Sequence, residues 1–147
     1  MVRNIAAEIT PENDVLLLEI FMNNDEQIQY LANIYYIARC DGRFEVEEDY
    51  LLQEIAKGIG AGYLETRKAL DKSMADGFEV KFPTRFSEKI RNLEDMLLVA
   101  YYDSKFEETE KKIIVSYVKQ LQIEQKQIDI IKEETKQRLK DFKKRQP

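Results

Sequence analysis

The chain of 147 residues contains no histidine and only one cysteine, Cys40. Without an imidazole, histidine-based catalytic triads, histidine-rich zinc sites and Glu-x-x-His di-iron sites are excluded. Acid–base chemistry would have to fall to carboxylates, lysines or tyrosines. A single cysteine cannot form an internal disulfide, so we interpret Cys40 as a small core residue in a protein of a reducing compartment.

Long apolar runs are also missing from this chain. The longest ones, residues 15–18 and 96–102, fall far short of the roughly 20 residues that a membrane-spanning helix needs. The N-terminus shows no basic segment followed by an apolar one, which a secretory signal would require. We therefore expect a cytoplasmic protein without a transmembrane segment.

Charge is distributed unevenly along the chain. Residues 1–80 carry 7 basic and 16 acidic side chains, whereas residues 81–147 carry 16 basic and 12 acidic ones. An acidic body with a basic end is a poor electrostatic match for a dedicated nucleic-acid binder, so we predict no nucleic-acid partner. Residues 136–145 hold six basic side chains and one acid. We interpret them as a solvated helix end, with peripheral contact to an anionic membrane surface as the open alternative.

Apolar side chains recur at the i, i+3, i+4 spacing of amphipathic helices through most of the chain. The predicted helices span about 11–22, 25–40, 45–58, 63–75, 84–102, 107–121 and 124–144. The glycine-rich residues 58–62 are predicted to end a helix, because no strand precedes them and no Gly-Lys-Ser/Thr follows, as a phosphate loop would need. Residues 78–82 alternate like a strand, but one strand without a pairing partner predicts an extended crossover instead.

A short motif occurs twice at an offset of 62 residues. ARCDGRFE at 38–45 returns as AYYDSKFE at 100–107, and the matching pattern continues on both sides. Self-similarity of this kind indicates one supersecondary unit that is used twice. We therefore predict an all-α fold, a single domain over 1–147 formed by a bundle of about seven helices in two pseudo-symmetric hairpin repeats. The predicted parts are repeat one at about 25–75, the crossover at 76–87 and repeat two at about 88–144.

The repeated residues resemble the signature of the TerB-like domain of tellurite-resistance proteins, over about residues 10–140. That signature is an apolar helix ending in Ala-x-x-Asp-Gly, then a hydrophobic residue, then an acidic helix start with Glu seven positions after the Asp. The matching residues are Ala38, Asp41, Gly42, Phe44 and Glu48 in the first copy and Ala100, Asp103, Phe106 and Glu110 in the second. Two positions depart from the family pattern: Ser104 replaces a glycine, and Val46 replaces a common proline.

The acidic residues that occur in both copies of the motif raise the question of a metal site. Metal binding is a property that the resemblance implies. Hard divalent cations such as Ca²⁺ or Mg²⁺ prefer oxygen clusters. Acids at helix starts also complement the helix dipole and cap turns without any ligand, so both interpretations stay open. An EF-hand is excluded, because Ile37 and Arg39 would occupy its first two ligand positions. The candidate ligands are Asp41, Glu45, Glu48, Asp103, Glu107 and Glu110.

Three function classes follow from the sequence. The first is a non-catalytic TerB-like interaction domain with an unidentified protein partner, which the resemblance links to bacterial stress or tellurite-type responses. The second is a co-chaperone-type module, because the same fold occurs at the N-terminus of DnaJ-like proteins. The third is a carboxylate-metal hydrolase that uses the doubled acids. We predict no catalytic residue and no bound organic cofactor, since no nucleophile–base pair is evident. The sequence leaves the oligomeric state open.

Overall fold

The computed structural model describes residues 22–39, 46–102 and 108–146, and this part of the chain forms six α-helices without a strand. The helices are α1 (Asn24–Arg39), α2 (Val46–Gly58), α3 (Tyr63–Ser73), α4 (Phe86–Tyr102), α5 (Glu108–Leu121) and α6 (Gln125–Arg145). The all-α prediction is confirmed for these residues, and six of the predicted helices lie within two residues of their predicted bounds. The predicted helix at 11–22 lies outside the described residues except for Met22, and Cys40 also lies outside them.

Side chains just before or inside the first turn fix where three helices begin. The Asn23 side chain accepts a hydrogen bond from the backbone N–H of Glu26 at 2.9 Å, which caps α1. The Glu65 carboxylate accepts the Gly62 N–H at 3.2 Å before α3. Gln127 does the same for the Glu124 N–H at 3.1 Å before α6. Each contact satisfies a backbone donor that has no partner inside its helix.

Two helices end at residues with positive φ. Gly60 follows α2 with φ of 78°, and Gln122 follows α5 with φ of 56°. Left-handed backbone of this kind commonly terminates a helix, and glycine adopts it without steric cost. The prediction that residues 58–62 end a helix is therefore confirmed.

The core lies between the two central helices. α1 packs on α3 and on α4, while α4 also packs on α6, α5 and α2. Ile34 and Ile37 of α1 and Leu93, Met96 and Val99 of α4 are 0–2% exposed. Both helices carry apolar side chains on nearly every side. The remaining elements must therefore cover these two helices from several directions.

Residues 74–85 connect α3 to α4 without helix or strand, and the last two residues of the crossover predicted at 76–87 belong to α4. The Phe78 ring lies 5.0 Å from the Tyr36 ring, and the Phe82 ring meets the Tyr117 ring edge-on at 4.5 Å. Both phenylalanines are half-buried against the core. The crossover is thus held by aromatic packing and by hydrogen bonds between Asn33 and the Lys81 backbone, without strand pairing among the described residues.

Helix starts recur at the offset of the sequence repeat. α1, α2 and α3 begin at residues 24, 46 and 63, and α4, α5 and α6 begin at residues 86, 108 and 125, so that each pair is 62 residues apart. Across the described part of the chain, no helix combines the length and apolar character needed to cross a membrane.

Candidate functional site

Four of the six candidate metal ligands, Asp41, Glu45, Asp103 and Glu107, lie outside the described residues. The other two are Glu48 in α2 and Glu110 in α5, which are 7% and 4% exposed. Residues 22–39, 46–102 and 108–146 contain no group of three or more carboxylate, cysteine or histidine side chains placed to hold a metal ion. The metal site therefore stays a prediction, and the structure adds only that its two described members are buried.

A buried polar cluster joins α1 to α4. Its members are Tyr30, Asn33, Asn92 and Asp95, which are 0–3% exposed. The Asn33 amide donates to the Asn92 side-chain oxygen at 2.8 Å, and the Asn92 amide donates to the Tyr30 backbone oxygen at 3.2 Å. The Tyr30 hydroxyl donates to Asp95 Oδ2 at 2.5 Å. Buried polar groups are costly unless they are paired, so this cluster fixes how the two central helices meet.

Asp95 is the charged member of the cluster, and Arg138 of α6 covers it. The Arg138 guanidinium donates to Asp95 Oδ1 at 3.2 Å and lies 3.9 Å from a Glu94 carboxylate oxygen. Burial raises the pKa of Asp95 above its ordinary value, against the opposing effects of the Tyr30 hydrogen bond and of the Arg138 charge. Burial and the nearby Asp95 charge also raise the pKa of the Tyr30 hydroxyl. This arrangement ties α6 to the centre of the bundle.

A cleft of about 470 Å³ lies between α2, α4 and α6 and contains three arginines. Arg138 lies over Asp95, Arg145 donates to Glu54 at 2.9 Å, and Arg91 donates to the Gly58 backbone oxygen at 2.9 Å. The apolar lining consists of Leu51, Ile55, Leu98 and Phe142. The cleft also contains three carboxylates, those of Glu54, Asp95 and Asp141. Its three guanidinium groups have the planar geometry that pairs with carboxylates.

A second cleft of about 580 Å³ shares Gly58 and Arg91 with the first. It adds Arg85 and Glu88 at the start of α4, and its apolar lining includes Met22 and Ile59. We call the two clefts together the arginine groove, after Arg85, Arg91, Arg138 and Arg145.

Glu88 has an unusual position in this groove. Its Oε2 atom is buried and finds no hydrogen-bond partner within the described parts of the chain. The Oε1 atom lies 3.8 Å from a guanidinium nitrogen of Arg85. This distance fits an ion pair and is too long for a hydrogen bond. Burial raises the pKa of the Glu88 carboxyl. The groove therefore presents an unsatisfied acceptor beside several guanidinium donors.

A separate cleft of about 540 Å³ lies between α2 and α3, and we call it the tyrosine cleft. Its apolar lining includes Tyr35, Ala56 and Leu70, and Tyr63 stands at its rim. The Tyr63 side chain is 83% exposed, and the neighbouring Leu64 is 58% exposed. Burial, with a smaller effect of the Asp49 charge, raises the pKa of the Tyr35 hydroxyl to about 12, so Tyr35 stays a neutral hydrogen-bonding group at physiological pH.

The sequence prediction missed the buried cluster and both surface sites. A partial signal for the cluster was present, because Tyr30 and Asn33 lie three apart in a largely apolar stretch, whereas Asn92 and Asp95 at the equivalent positions are flanked by the charged Arg91 and Glu94. The arginine groove had no such local signal, since its arginines are spread over residues 85–145. Compared with protein-family models, with curated proteins and with solved structures, the chain matches none of them.

Proposed function

We propose that this protein is a non-catalytic helical interaction domain of the TerB-like type, which binds a protein partner at the tyrosine cleft. One observation carries the proposal: Tyr63 is 83% exposed at the rim of a cleft with an apolar lining. Exposed large side chains beside an apolar cleft are typical of interaction sites, and tyrosine is among the residues that contribute most to binding. The link to stress responses rests on the resemblance of the repeated motif alone.

We also propose that the fold is a duplicated unit with pseudo-twofold symmetry. Helix starts at a constant offset of 62 residues support this arrangement. So do matched environments, because Glu48 and Glu110 are both buried and Gly60 and Gln122 both have positive φ. An experimental structure in which residues 34–60 do not superpose on residues 96–122 would contradict it.

Site-specific photo-cross-linking tests the interaction. A photoreactive phenylalanine analogue at position 63 should cross-link to one defined protein in the producing cell. The same analogue at Val115, which is 49% exposed on α5, is the matched control and should not yield that product. The purified partner should bind the Tyr63→Ala variant at least about tenfold more weakly, as expected for a residue central to an interface. Identical cross-links from both positions would contradict the proposal.

The identity of the cross-linked protein also distinguishes the co-chaperone alternative. A chaperone ATPase or a J-domain protein as the partner would favour the co-chaperone class, and any other partner would favour a different interaction role. The hydrolase alternative would use the acids of the two motif copies, of which the described residues include only Glu48 and Glu110, so it stays a prediction.

A divalent-cation site at the doubled acids remains a second, separate hypothesis. The burial of Glu48 and Glu110 at equivalent positions favours a common role for the two motifs. If that role is metal binding, millimolar Ca²⁺ or Mg²⁺ should raise the melting temperature, because a ligand that binds only the native state stabilises it. The Asp41→Asn, Asp103→Asn double variant should lose this rise. If the acids only cap helices, neither protein should respond to the ions.

A further inference from the structure

We propose that the arginine groove is a second binding site, independent of the tyrosine cleft, and that its ligand is an acidic peptide segment of a partner protein. The groove contains four of the six arginines in the described residues. Arginine is the residue best suited to bind carboxylates, because its planar guanidinium matches both oxygens at once.

The arginines of the groove retain hydrogen-bonding capacity. Each guanidinium has five N–H donors. Arg91 uses one of them on the Gly58 backbone oxygen, and it forms no ion pair with a carboxylate in the described part of the chain. A ligand carboxylate can therefore bind Arg91 without displacing an acid at ion-pair distance, although the Arg91 charge also acts at longer range on Glu88, Glu94 and Asp95 and opposes the rise of their pKa.

The acid that pairs with Arg145 can be replaced at small cost. The Arg145–Glu54 contact joins side chains that are 62% and 45% exposed. Ion pairs at this degree of exposure contribute little to stability, because water screens both charges. Arg145 can thus turn from Glu54 to a ligand carboxylate while the fold stays intact. Arg138, by contrast, remains bound to the buried Asp95.

The carboxylate of Glu88 favours a ligand that can donate hydrogen bonds. Its buried Oε2 has no donor among the described residues, whereas Arg91 has N–H groups left to donate. A peptide with acidic side chains supplies both, since its backbone N–H groups donate and its carboxylates accept. Inorganic phosphate at neutral pH and the phosphodiester backbone of nucleic acid offer mainly acceptors. Glu54 and Asp141 also line the groove, so a ligand whose carboxylates are separated by uncharged residues fits it better than a uniformly charged polyanion.

The lining of the groove adds a second requirement on the peptide. Both clefts are lined by apolar side chains as well as arginines, and the apolar residues are Met22, Leu51, Ile55, Ile59, Leu98 and Phe142. Leu51, Ile55, Leu98 and Phe142 are already buried, so a ligand gains by covering the half-buried Met22 and Ile59 and removing their apolar surface from water. The expected peptide therefore carries leucine or phenylalanine between its aspartates and glutamates.

Fluorescence anisotropy with the full-length chain and a labelled peptide of alternating Glu and Leu tests this proposal. We expect saturable binding that weakens with added salt, since the contacts are ionic. Arg91→Ala should weaken it about tenfold or more, and Arg91→Lys should retain only part of the affinity because it lacks the planar fork. Arg67→Ala on α3 is the matched control, as Arg67 pairs with Asp71 outside the groove, and it should bind like the parent protein.

Additional variants and competing ligands test whether the peptide binds at the groove and whether another ligand occupies it. Tyr63→Ala should leave peptide affinity unchanged, so failure of the tyrosine-cleft proposal does not affect this one. Equal losses in Arg91→Ala and Arg67→Ala would overturn the groove proposal, and so would displacement of the peptide by phosphate or single-stranded nucleic acid at equal concentration. Residues 8–21 of this chain contain four acids and precede Met22. Binding seen only after Glu8, Glu12 and Glu19 are changed to Gln and Asp14 to Asn would also overturn it, since the ligand would be the chain's own segment.

Discussion

The first half of the molecule, α1 to α3, and the second half, α4 to α6, bury polar side chains at the same two positions of their central helices. Tyr30 and Asn33 of α1 correspond, at the 62-residue offset, to Asn92 and Asp95 of α4, and all four are nearly inaccessible to water. The halves differ in charge at the second position. Asn33 is a neutral amide, whereas Asp95 is a carboxylate.

The two polar residues differ because different elements pack against them: the crossover after α3 contacts Asn33, and the C-terminal part of α6 contacts Asp95. α3 ends at Ser73, so the crossover backbone is free to bond with side chains, and Asn33 binds both the Lys81 oxygen at 2.7 Å and the Lys81 N–H at 3.2 Å. α6 is longer and continues to Arg145. The backbone N–H and C=O groups in the interior of a helix are used by hydrogen bonds within that helix. Only a side chain from α6 can then reach the core position, and Arg138 does so.

A second matched pair shows the same divergence. The Ser73 hydroxyl donates to the Leu70 backbone oxygen, and the Thr135 hydroxyl donates to the Ile131 backbone oxygen, both at 2.7 Å. Ser73 is the last residue of α3, whereas Thr135, which is fully buried, lies inside α6. Both hydroxyls therefore bond to the backbone of the preceding turn, but Ser73 reaches three residues back and Thr135 four, so the acceptors are not at equivalent positions.

The comparison predicts equal importance for the two central helices. Ile34→Ala and Leu97→Ala should each lower the free energy of unfolding by about 2–5 kcal/mol, because both remove a buried large side chain and leave a cavity. Ile131→Ala in the outer α6 should cost less. Chemical denaturation measures all three. Equal small losses would show that α1 and α4 are not the centre of the core.

Removing the neutral amide should have the next largest effect. Asn33→Ala leaves the Asn92 oxygen and the Lys81 backbone without their partner, at about 1–3 kcal/mol for each buried group that is not rescued by water. Gln137→Ala, which removes only an exposed contact with Asp141, is the control and should change stability by less than about 0.5 kcal/mol. Similar losses in both variants would mean that the buried cluster does not stabilise the α1–α4 contact.

Asp95 of α4 should make the free energy of unfolding depend on pH, whereas Asn33 of α1 should not. The pKa of Asp95 in the native state is raised above its ordinary value of 3.8. As pH rises from about 4, the unfolded state loses this proton first, so the contribution of Asp95 to the free energy of unfolding falls until the native carboxyl has also ionised. The stability of the parent protein relative to Asp95→Asn should therefore decline over this range. The effect of Asn33→Ala should not vary with pH, and a rise for Asp95 would contradict the assignment.

The helix ends offer the smallest test. Gly60 and Gln122 occupy equivalent positions with positive φ. Gly60→Ala should destabilise the protein by about 1–2 kcal/mol, because a side chain disfavours this backbone conformation, and a β-carbon there meets nothing closer than 3.8 Å. Gln122→Gly should stabilise it by up to about 1 kcal/mol, after the entropy cost of glycine is subtracted. Thermal denaturation of both variants measures the two effects, and a destabilising Gln122→Gly or a neutral Gly60→Ala would show that the two turns are not equivalent.

Much of the fold could be predicted from the sequence, because helix bounds depend on local signals. The period of apolar residues located α1 to α6, and Gly58 to Gly62 located the end of α2. The prediction of an extended crossover also depended on a local argument, since residues 78–82 had no second strand to pair with. The 62-residue offset of the helix starts was readable from the repeated motif in the same way.

Tertiary structure alone decided the candidate sites. Asp95 and Arg138 are 43 residues apart, and Gly58 and Arg91 are 33 apart, so no local pattern connects them. Whether a polar residue in an apolar helix finds a partner depends on which element crosses it, and the crossover and the longer α6 gave Asn33 and Asp95 different partners. The sequence by itself determined where the helices lie, because backbone hydrogen bonds within a helix are local. Packing decided which side chains share a groove, because burial and charge pairing act through space.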